Sequence, residues 1–273
     1  MQQSVILSTY NQPEWLGKVL RGYLFQTFGD FEMIIADDGS NQRTMEVIEG
    51  FRRFAKFPVI HIWQEDEGFQ KNRILNKAME AARTEYLVFS DGDCIPRKDF
   101  LAVHAARAAR GRFLSGGYCK LPEALSRKLM ADDIESGRAF DVRWLRAHGL
   151  QGLSRSFRIG APRALGKVMD VVTPTKATWN GHNASGWKRD IVAVNGFNER
   201  MQYGGEDREM GERLVNSGIQ GRQIRNQAIT LHLDHQRSYI TPEMQRTNLD
   251  IRRQVRDSKS VWCSDGIVKR SHA

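Results

Sequence analysis

The chain has 273 residues, 40% of them hydrophobic and 27% charged, which suits a soluble globular fold with one large core or two small ones. There is no run of about 18 apolar residues that could cross a membrane, and the chain opens on a strand pattern rather than a secretory leader. Three widely spaced cysteines (Cys94, Cys119, Cys263) make neither a disulfide framework nor a zinc pattern and fit a reducing, cytoplasmic setting, while a formal charge of +9 leaves nucleic acid, an anionic membrane surface and a phosphorylated substrate open as partners.

Taken in chain order, residues 4–10 read as a strand around Val5, Ile6 and Leu7. Asn11 is a candidate cap for the next helix, and Pro13 suits its first turn. Trp15, Leu16, Val19, Leu20, Tyr23 and Leu24 then recur at helical spacing. Residues 33–36 predict a second buried strand ending in Asp37-Asp38-Gly39-Ser40. A second helix carries Met45, Val47, Ile48, Phe51 and Phe54, and residues 59–63 predict a third strand. The spacing predicts a helix over 70–82, followed by a buried strand from Tyr86 to Phe89. That strand runs into Asp91-Gly92-Asp93, with Pro96 expected to stop it. This βαβαβαβ order implies a parallel sheet with right-handed crossovers.

Beyond Pro96 the alternation loosens. Residues 99–110 look helical and 113–119 look like one strand. Residues 122–150 are polar and helix-prone, and 155–174 read as basic and irregular. A strand is expected at 183–187, a helix at 206–216 closed by Gly218, and a last strand at 229–233. From Thr241 the chain reads as a polar, basic helix followed by a closing segment around Trp262. With no repeat and no low-complexity linker, one α/β domain is expected rather than two.

Three predicted strands end in polar residues on one edge, where open α/β sheets bind ligands. Neither a glycine-rich dinucleotide fingerprint nor a phosphate loop follows the first strand. The carboxylates after the second strand can accept hydrogen bonds from ribose or base N–H groups. Two carboxylates at Asp91 and Asp93 are costly without a cation, and a hard divalent ion at Asp93 could hold a diphosphate. The alternative for both acidic pairs is simple turn formation. Gly204-Gly205-Glu206-Asp207 precedes a helix. It reads either as an acidic helix start or as a glycine-flanked general base. His232 and His235 point to opposite faces of a straight strand, so both can face one metal only if the chain bends between them.

With these residues assembled, the chain resembles the family-2 glycosyltransferases of the GT-A fold. The N-terminal resemblance rests on Ser8-Thr9-Tyr10-Asn11, Asp37-Asp38-Gly39-Ser40, Gly68-Phe69 with Arg73 and Asn76, and Asp91-Gly92-Asp93-Cys94-Ile95-Pro96. The C-terminal resemblance is to chondroitin-type polymerases and β-1,4-galactosyltransferases. It rests on Asn183-Ala184-Ser185, the run from Val194 to Glu199, Gly204-Gly205-Glu206-Asp207 and the run from His232 to His235. It implies a GT-A sheet with a nucleotide-sugar half over 1–119, an acceptor and catalytic half over 120–240, and a basic tail over 241–273.

The resemblance also assigns roles. Thr9, Tyr10, Asn11 and Asp38 would hold the uracil and ribose of a UDP-sugar, with Asp37 nearby and Arg73 approaching the base or diphosphate. Asp91 and Gly92 would lie against ribose or a water on the metal. Asp93 and His235 would ligate Mn²⁺ or Mg²⁺, with His232 able to join them. Asp207 would be the catalytic base and Glu206 would bind the acceptor. Tyr203 would replace a tryptophan that stacks on sugar in relatives, and Asn180-Gly181-His182-Asn183 departs from the usual glycine pair. The implied reaction is inverting transfer to a glycan or lipid-linked acceptor in surface polysaccharide or glycoconjugate synthesis.

Two other readings are a nucleotidyltransferase and a basic nucleic-acid-binding module. The first lacks its glycine-rich basic loop. The second lacks a helix-turn-helix, zinc or aromatic signature, so no nucleic acid partner is expected. Basic residues cluster at Arg143, Arg146, Arg155, Arg158, Arg163 and Lys167. A second cluster comprises Arg252, Arg253, Arg256, Lys259, Lys269 and Arg270. They read either as a solvated surface or as peripheral contact with an anionic membrane or acidic acceptor.

Overall fold

The structure, a computed structural model, describes residues 1–235 and 241–269, less the side chains of residues 153–155. The N-terminal alternation folds as expected into β1 (Gln3–Thr9), α1 (Pro13–Leu24), β2 (Phe31–Asp37), α2 (Gln42–Arg52), β3 (Val59–Trp63), α3 (Lys71–Ala81) and β4 (Tyr86–Asp91). There follow β5 (Cys94–Pro96), α4 (Phe100–Arg107), β6 (Arg112–Ser115), β7 (Gly117–Lys120), α5 (Glu123–Lys128), α6 (Ala131–Glu135), α7 (Val142–Ala147), α8 (Leu153–Gly160) and α9 (Arg163–Val172). The rest comprises β8 (Asn183–Trp187), α10 (Lys188–Ala193), α11 (Glu206–Asn216), β9 (Gln220–Gln223), β10 (Ile229–His232) and α12 (Pro242–Ser258).

A seven-stranded sheet runs in the order β3-β2-β1-β4-β8-β6-β9, and β5-β10-β7 form a second, three-stranded sheet. The pairs β1–β2, β1–β4 and β2–β3 are parallel. β8 enters antiparallel beside β4. Both faces of β1, β2 and β4 are covered, which is why their central residues are apolar on both sides, while β3 at the sheet edge is part-buried. Val5, Leu7, Met33, Ile35 and Val88 pack with Leu16, Val19 and Leu20 of α1 on one face. Ile6, Ile34, Leu87 and Phe89 pack with Ile74, Leu75 and Met79 of α3 on the other. Each such buried aliphatic side chain stabilises the fold by about 1.5–3 kcal/mol, and together they hold the loops at the carboxyl ends of β1, β2 and β4.

Several local expectations change. Asn11 does not cap α1. It sits at φ 47, where its Oδ1 accepts from the Asn41 N–H (2.9 Å) and its own N–H donates to Ser40 Oγ (2.9 Å), so it ties the loops after β1 and β2 together. The single strand expected over 113–119 is two strands in different sheets. The chain swings between them at Gly116 and Gly117. A Cβ on Gly116 would lie 1.9 Å from Asn183 Oδ1, and one on Gly117 would lie 2.3 Å from the Arg225 carbonyl. Pro96 does not exclude strand pairing, because β5 is the edge of the small sheet, where a missing N–H is tolerated. The stretch 155–174, expected to be irregular, forms most of α8 and all of α9.

The C-terminal helix has a structural task. Thr241 Oγ1 accepts from the Met244 N–H at its start (3.2 Å). Asn248 Nδ2 donates to the carbonyls of Gln202 (2.8 Å) and Gly204 (3.1 Å), and Arg252 pairs with Glu212 of α11 (2.6 Å). α12 therefore braces the glycine turn that introduces α11.

Candidate active site

The carboxyl ends of β1, β2 and β4 open into a cleft lined by Ser8, Thr9, Tyr10, Asp38, Asp91 and Gly92, among others. Gly39 shapes its β2 edge: φ is +93°, and a Cβ there would lie 2.6 Å from the Asp66 Cα. The two aspartates before it divide in role. Asp37 turns inward, accepting from the Ser40 N–H (2.9 Å) and pairing with His61 (3.0 Å). Asp38 lines the cleft and accepts from Gln64 Nε2 (2.6 Å) and the Gln70 N–H (2.9 Å). Burial pushes its carboxyl up to about 6, against those hydrogen bonds. At the rim, the exposed Tyr10 donates its hydroxyl to Asp66 (2.8 Å).

Asp91 and Asp93 have different surroundings. Asp91 Oδ1 accepts from Ser8 Oγ (2.6 Å) and Lys71 Nζ (2.9 Å). Burial opposes ionisation of both partners, yet the pairing keeps Asp91 below and Lys71 well above its ordinary value. Gly92 permits the turn, since its Cβ would meet the Ser8 carbonyl at 3.0 Å and Thr9 Oγ1 at 3.1 Å. Asp93 Oδ2 faces two imidazoles, His235 Nε2 at 2.9 Å and His232 Nε2 at 3.4 Å. The chain does bend between the histidines. β10 ends at His232, the Leu233 N–H donates to the Asp93 carbonyl (2.8 Å), and the two rings end nearly parallel, 6.2 Å apart. Burial works against the Asp93 carboxylate, but hydrogen bonding from His235 and the charge of His232 hold it well below the usual range.

Gln12 completes this cluster, with Nε2 3.0 Å from His235 Nδ1. Its Oε1 is buried without a hydrogen-bond partner. Turning the amide over would seat Gln12 Oε1 on the His235 Nδ1–H and leave the His235 Nε2 lone pair free for a cation, as a supporting residue does for a metal-bound histidine. Among the described residues Asp93, Cys94 and His232 bring donor atoms within 4.8 Å of one another, and His235, with such a support, reaches the same Asp93 carboxylate (2.9 Å); these donors fit a first-row divalent ion. Nitrogen donors favour Mn²⁺ over Mg²⁺.

Opposite stands the start of α11. Gly204 and Gly205 have φ of +118° and +89°, a left-handed pair that only glycine adopts cheaply. Glu206 lines the cleft and accepts from the Gly204 N–H (2.8 Å). Asp207 Oδ1 is buried with no partner, and a Cβ on Gly181 would lie 2.5 Å from it. Burial pushes the Asp207 carboxyl up to about 7; Lys71 opposes the rise, while Glu206 and Asp91 add to it. Asp91, Glu206 and Asp207 thus share the field of Lys71. Tyr203 meets Phe69 edge to face (5.9 Å), and both line the cleft.

The structure therefore brings together Thr9, Tyr10, Asp38, Asp91, Gly92, Asp93, Tyr203, Glu206 and His235, with His232 and Asp207 against the same groups. Three residues are not brought in. Asn11 and Asp37 support loops, and Arg73 is paired with Glu67 (2.7 Å), away from the cleft lining. Lys71, two residues earlier on α3, is the cation that reaches it. Gln12 carried no sequence signal for the site, and His182 stood out only as part of the Asn180-Gly181-His182-Asn183 departure from the usual glycine pair. His182 packs on Tyr118 (4.7 Å). Burial pushes its imidazole down to about 4, with Asp91, Asp93, His232 and Lys71 within electrostatic reach.

Residues 4–119 match the "Glycosyl transferase family 2" family, and residues 175–236 match "N-terminal domain of galactosyltransferase". Chondroitin synthase of Escherichia coli is 25% identical over 232 residues, covering 81% of this chain and 33% of that protein. Residues 1–349 of S. aureus TarS, in complex with UDP-GlcNAc, superpose with a TM-score of 0.61 at 16% identity, covering 92% of this chain and 64% of that one. The mannosyltransferase PcManGT from Pyrobaculum calidifontis, in complex with GDP-Man and Mn²⁺, gives 0.58 at 16% identity, covering 87% and 58%. The chain spans 65% and 33% of the first two curated relatives it matches. The fold is that of the GT-A glycosyltransferases. Within that class residues 4–119 carry a family-2 glycosyltransferase segment and residues 175–236 a galactosyltransferase-like one.

Proposed function

We propose that this chain catalyses metal-dependent, inverting transfer of a sugar from a UDP-sugar to a hydroxyl of a glycan or lipid-linked acceptor, in surface polysaccharide or glycoconjugate synthesis on the cytoplasmic side. One observation carries the reading: a carboxylate pushed up to about 7, Asp207, lies in the field of Lys71, Glu206 and Asp91, which line the cleft together with Asp93, His235 and the ends of three parallel strands. A base poised near neutrality opposite an anion-binding centre is what acyl-free group transfer to a hydroxyl needs.

Thr9, Tyr10 and Asp38 form the nucleoside wall, where Asp38 can accept from ribose or base. Asp93, His235 and His232 would hold Mn²⁺, which when bound supplies positive charge against the leaving diphosphate. Lys71 adds a fixed charge beside it while pinning Asp91. Glu206 and Tyr203 face the acceptor side. Asp207 takes the proton of the acceptor hydroxyl as the new C–O bond forms at the anomeric carbon. The C–O bond to the diphosphate breaks on the opposite face, and its electron pair leaves with UDP. An α-linked donor then yields a β-linked product.

Calorimetry tests the binding half without turnover. The wild-type chain should bind UDP with Mn²⁺ and lose at least about tenfold in affinity when Mn²⁺ is removed or when Asp93→Ala or His235→Ala is introduced. Equal UDP affinity in Asp93→Ala would sink the metal assignment.

A further inference from the structure

Helix α9 is turned inside out. Its protein-facing side is polar and small. Asp170 accepts from the Asn226 N–H (2.9 Å), Asn226 Nδ2 (2.7 Å) and Gln227 Nε2 (2.7 Å), and a Cβ on Gly166 would lie 2.6 Å from the Asn226 carbonyl. Its apolar residues face outward instead. Leu165 is 37% exposed, Val168 55%, Val171 83% and Val172 63%, and on the preceding α8 Phe157 is 47% exposed. The α9 positions recur at three- and four-residue steps, so they form one stripe. An amphipathic helix normally presents the other face to its own core.

The charge around the stripe is one-sided. Residues 142–176 contain seven basic residues (Arg143, Arg146, Arg155, Arg158, Arg163, Lys167, Lys176) and a single acidic one, Asp170, which is bound inward. Arg143, Arg146, Lys167 and Lys176 are exposed; the Arg155 side chain lies outside the described residues. Of the seven, Arg163 pairs with Asp99 (2.9 Å); the tail cluster is more fully paired. Arg252 and Arg256 are paired with Glu212, and Arg253 with Asp250, while Arg270 lies outside the described residues.

We propose that α8 and α9 dock the protein on an anionic bilayer surface, with the Leu165–Val168–Val171–Val172 stripe and Phe157 entering the headgroup boundary and the surrounding Lys and Arg on acidic lipid. An aliphatic stripe bordered by Lys and Arg is the composition of an interfacial helix. A protein partner's contact would be richer in aromatics and poorer in Lys. The surface is joined to the cleft. α9 rests on Asn226 and Gln227, just ahead of β10 with His232, and Arg158 Nη1 donates to the carbonyl of Tyr118 (3.0 Å), whose ring packs on His182 and His232. Docking would hold the cleft beside the membrane.

The proposal is independent of the transfer chemistry, and its test keeps the two apart. The full chain is floated with phosphatidylcholine vesicles and with vesicles containing phosphatidylglycerol, at low and high salt, for wild type, Val168→Asp/Val171→Asp and Lys167→Glu. Wild type should float with the anionic vesicles, and less at high salt. The double variant should lose about tenfold or more of that binding and Lys167→Glu a smaller share, both with unchanged melting curves and unchanged UDP release in solution. Absence of flotation with anionic vesicles at low salt, or equal flotation of the double variant, would overturn it. So would a wild-type oligomer that the double variant converts to monomer without any vesicle binding, since that would make the stripe a contact between copies of the chain.

Discussion

Replacing Asp207 with Asn tests catalysis and electrostatics in one variant. The amide keeps the shape of the carboxylate but cannot accept the acceptor's proton, so kcat should fall by about 10²–10⁴-fold, with UDP and Mn²⁺ binding changed less than about twofold. The structure also fixes a stability effect. The carboxyl is pushed up to about 7 from an ordinary 3.8. Between those values the folded protein keeps a proton that the unfolded chain has lost, so wild-type stability declines as pH rises from about 4 to about 7. That gap corresponds to at most about 4 kcal/mol. Because the side chain is only part-buried, about 2 kcal/mol is a fair expectation after solvent screening. Asn carries no such cost. Asp207→Asn should therefore equal wild type in stability near pH 4 and exceed it by about 2 kcal/mol above pH 7, read from urea unfolding at a series of pH values. Wild-type turnover would refute the base assignment. A stability difference that does not change with pH would refute the desolvated carboxylate on which it rests.

Lys71 is the group that opposes the rise at Asp207, so Lys71→Ala should move the acid limb of the kcat–pH profile to higher pH, whatever it does to the maximum. A limb that stays put or moves down would contradict that coupling. Arg213 is fully buried, pairs with Glu209 (2.7 Å) and donates to the carbonyls of Val194 and Gly196. Arg213→Ala leaves Glu209 buried and uncompensated and should cost about 3–5 kcal/mol in denaturant unfolding. Changing Arg213→Met and Glu209→Leu together should cost less than the single change, and a double-mutant cycle without coupling would refute the pairing.

The parts of the fold written in local pattern were legible. β3, β8 and α11 fall on the residues expected from alternation and spacing, because each is specified by its own apolar period and a nearby turn. The split at Gly116 was not, because its cause is a contact with Asn183, 67 positions later in the chain. α9 escaped for a different reason: its apolar residues meet solvent, so its pattern does not report a buried face. In the cleft, aspartates and histidines were readable as chemistry, but which cation reaches Asp91 depends on the phase of α3. That phase gives the site to Lys71 and turns Arg73 toward Glu67. Gln12 could have been suspected only from the strand-end loop it occupies. Its role comes from packing against His235, which lies at the far end of the chain.

The central claim is transfer from a nucleotide sugar through the Asp93–His235 centre and Asp207. The most direct measurement is release of UDP from a set of UDP-sugars, with and without hydroxyl acceptors, in Mn²⁺ and in chelator. Acceptor-stimulated UDP release in Mn²⁺ that disappears with chelator and in Asp207→Asn is the expected result. Release of pyrophosphate from a nucleoside triphosphate and a sugar phosphate, with no UDP from any donor, would contradict it.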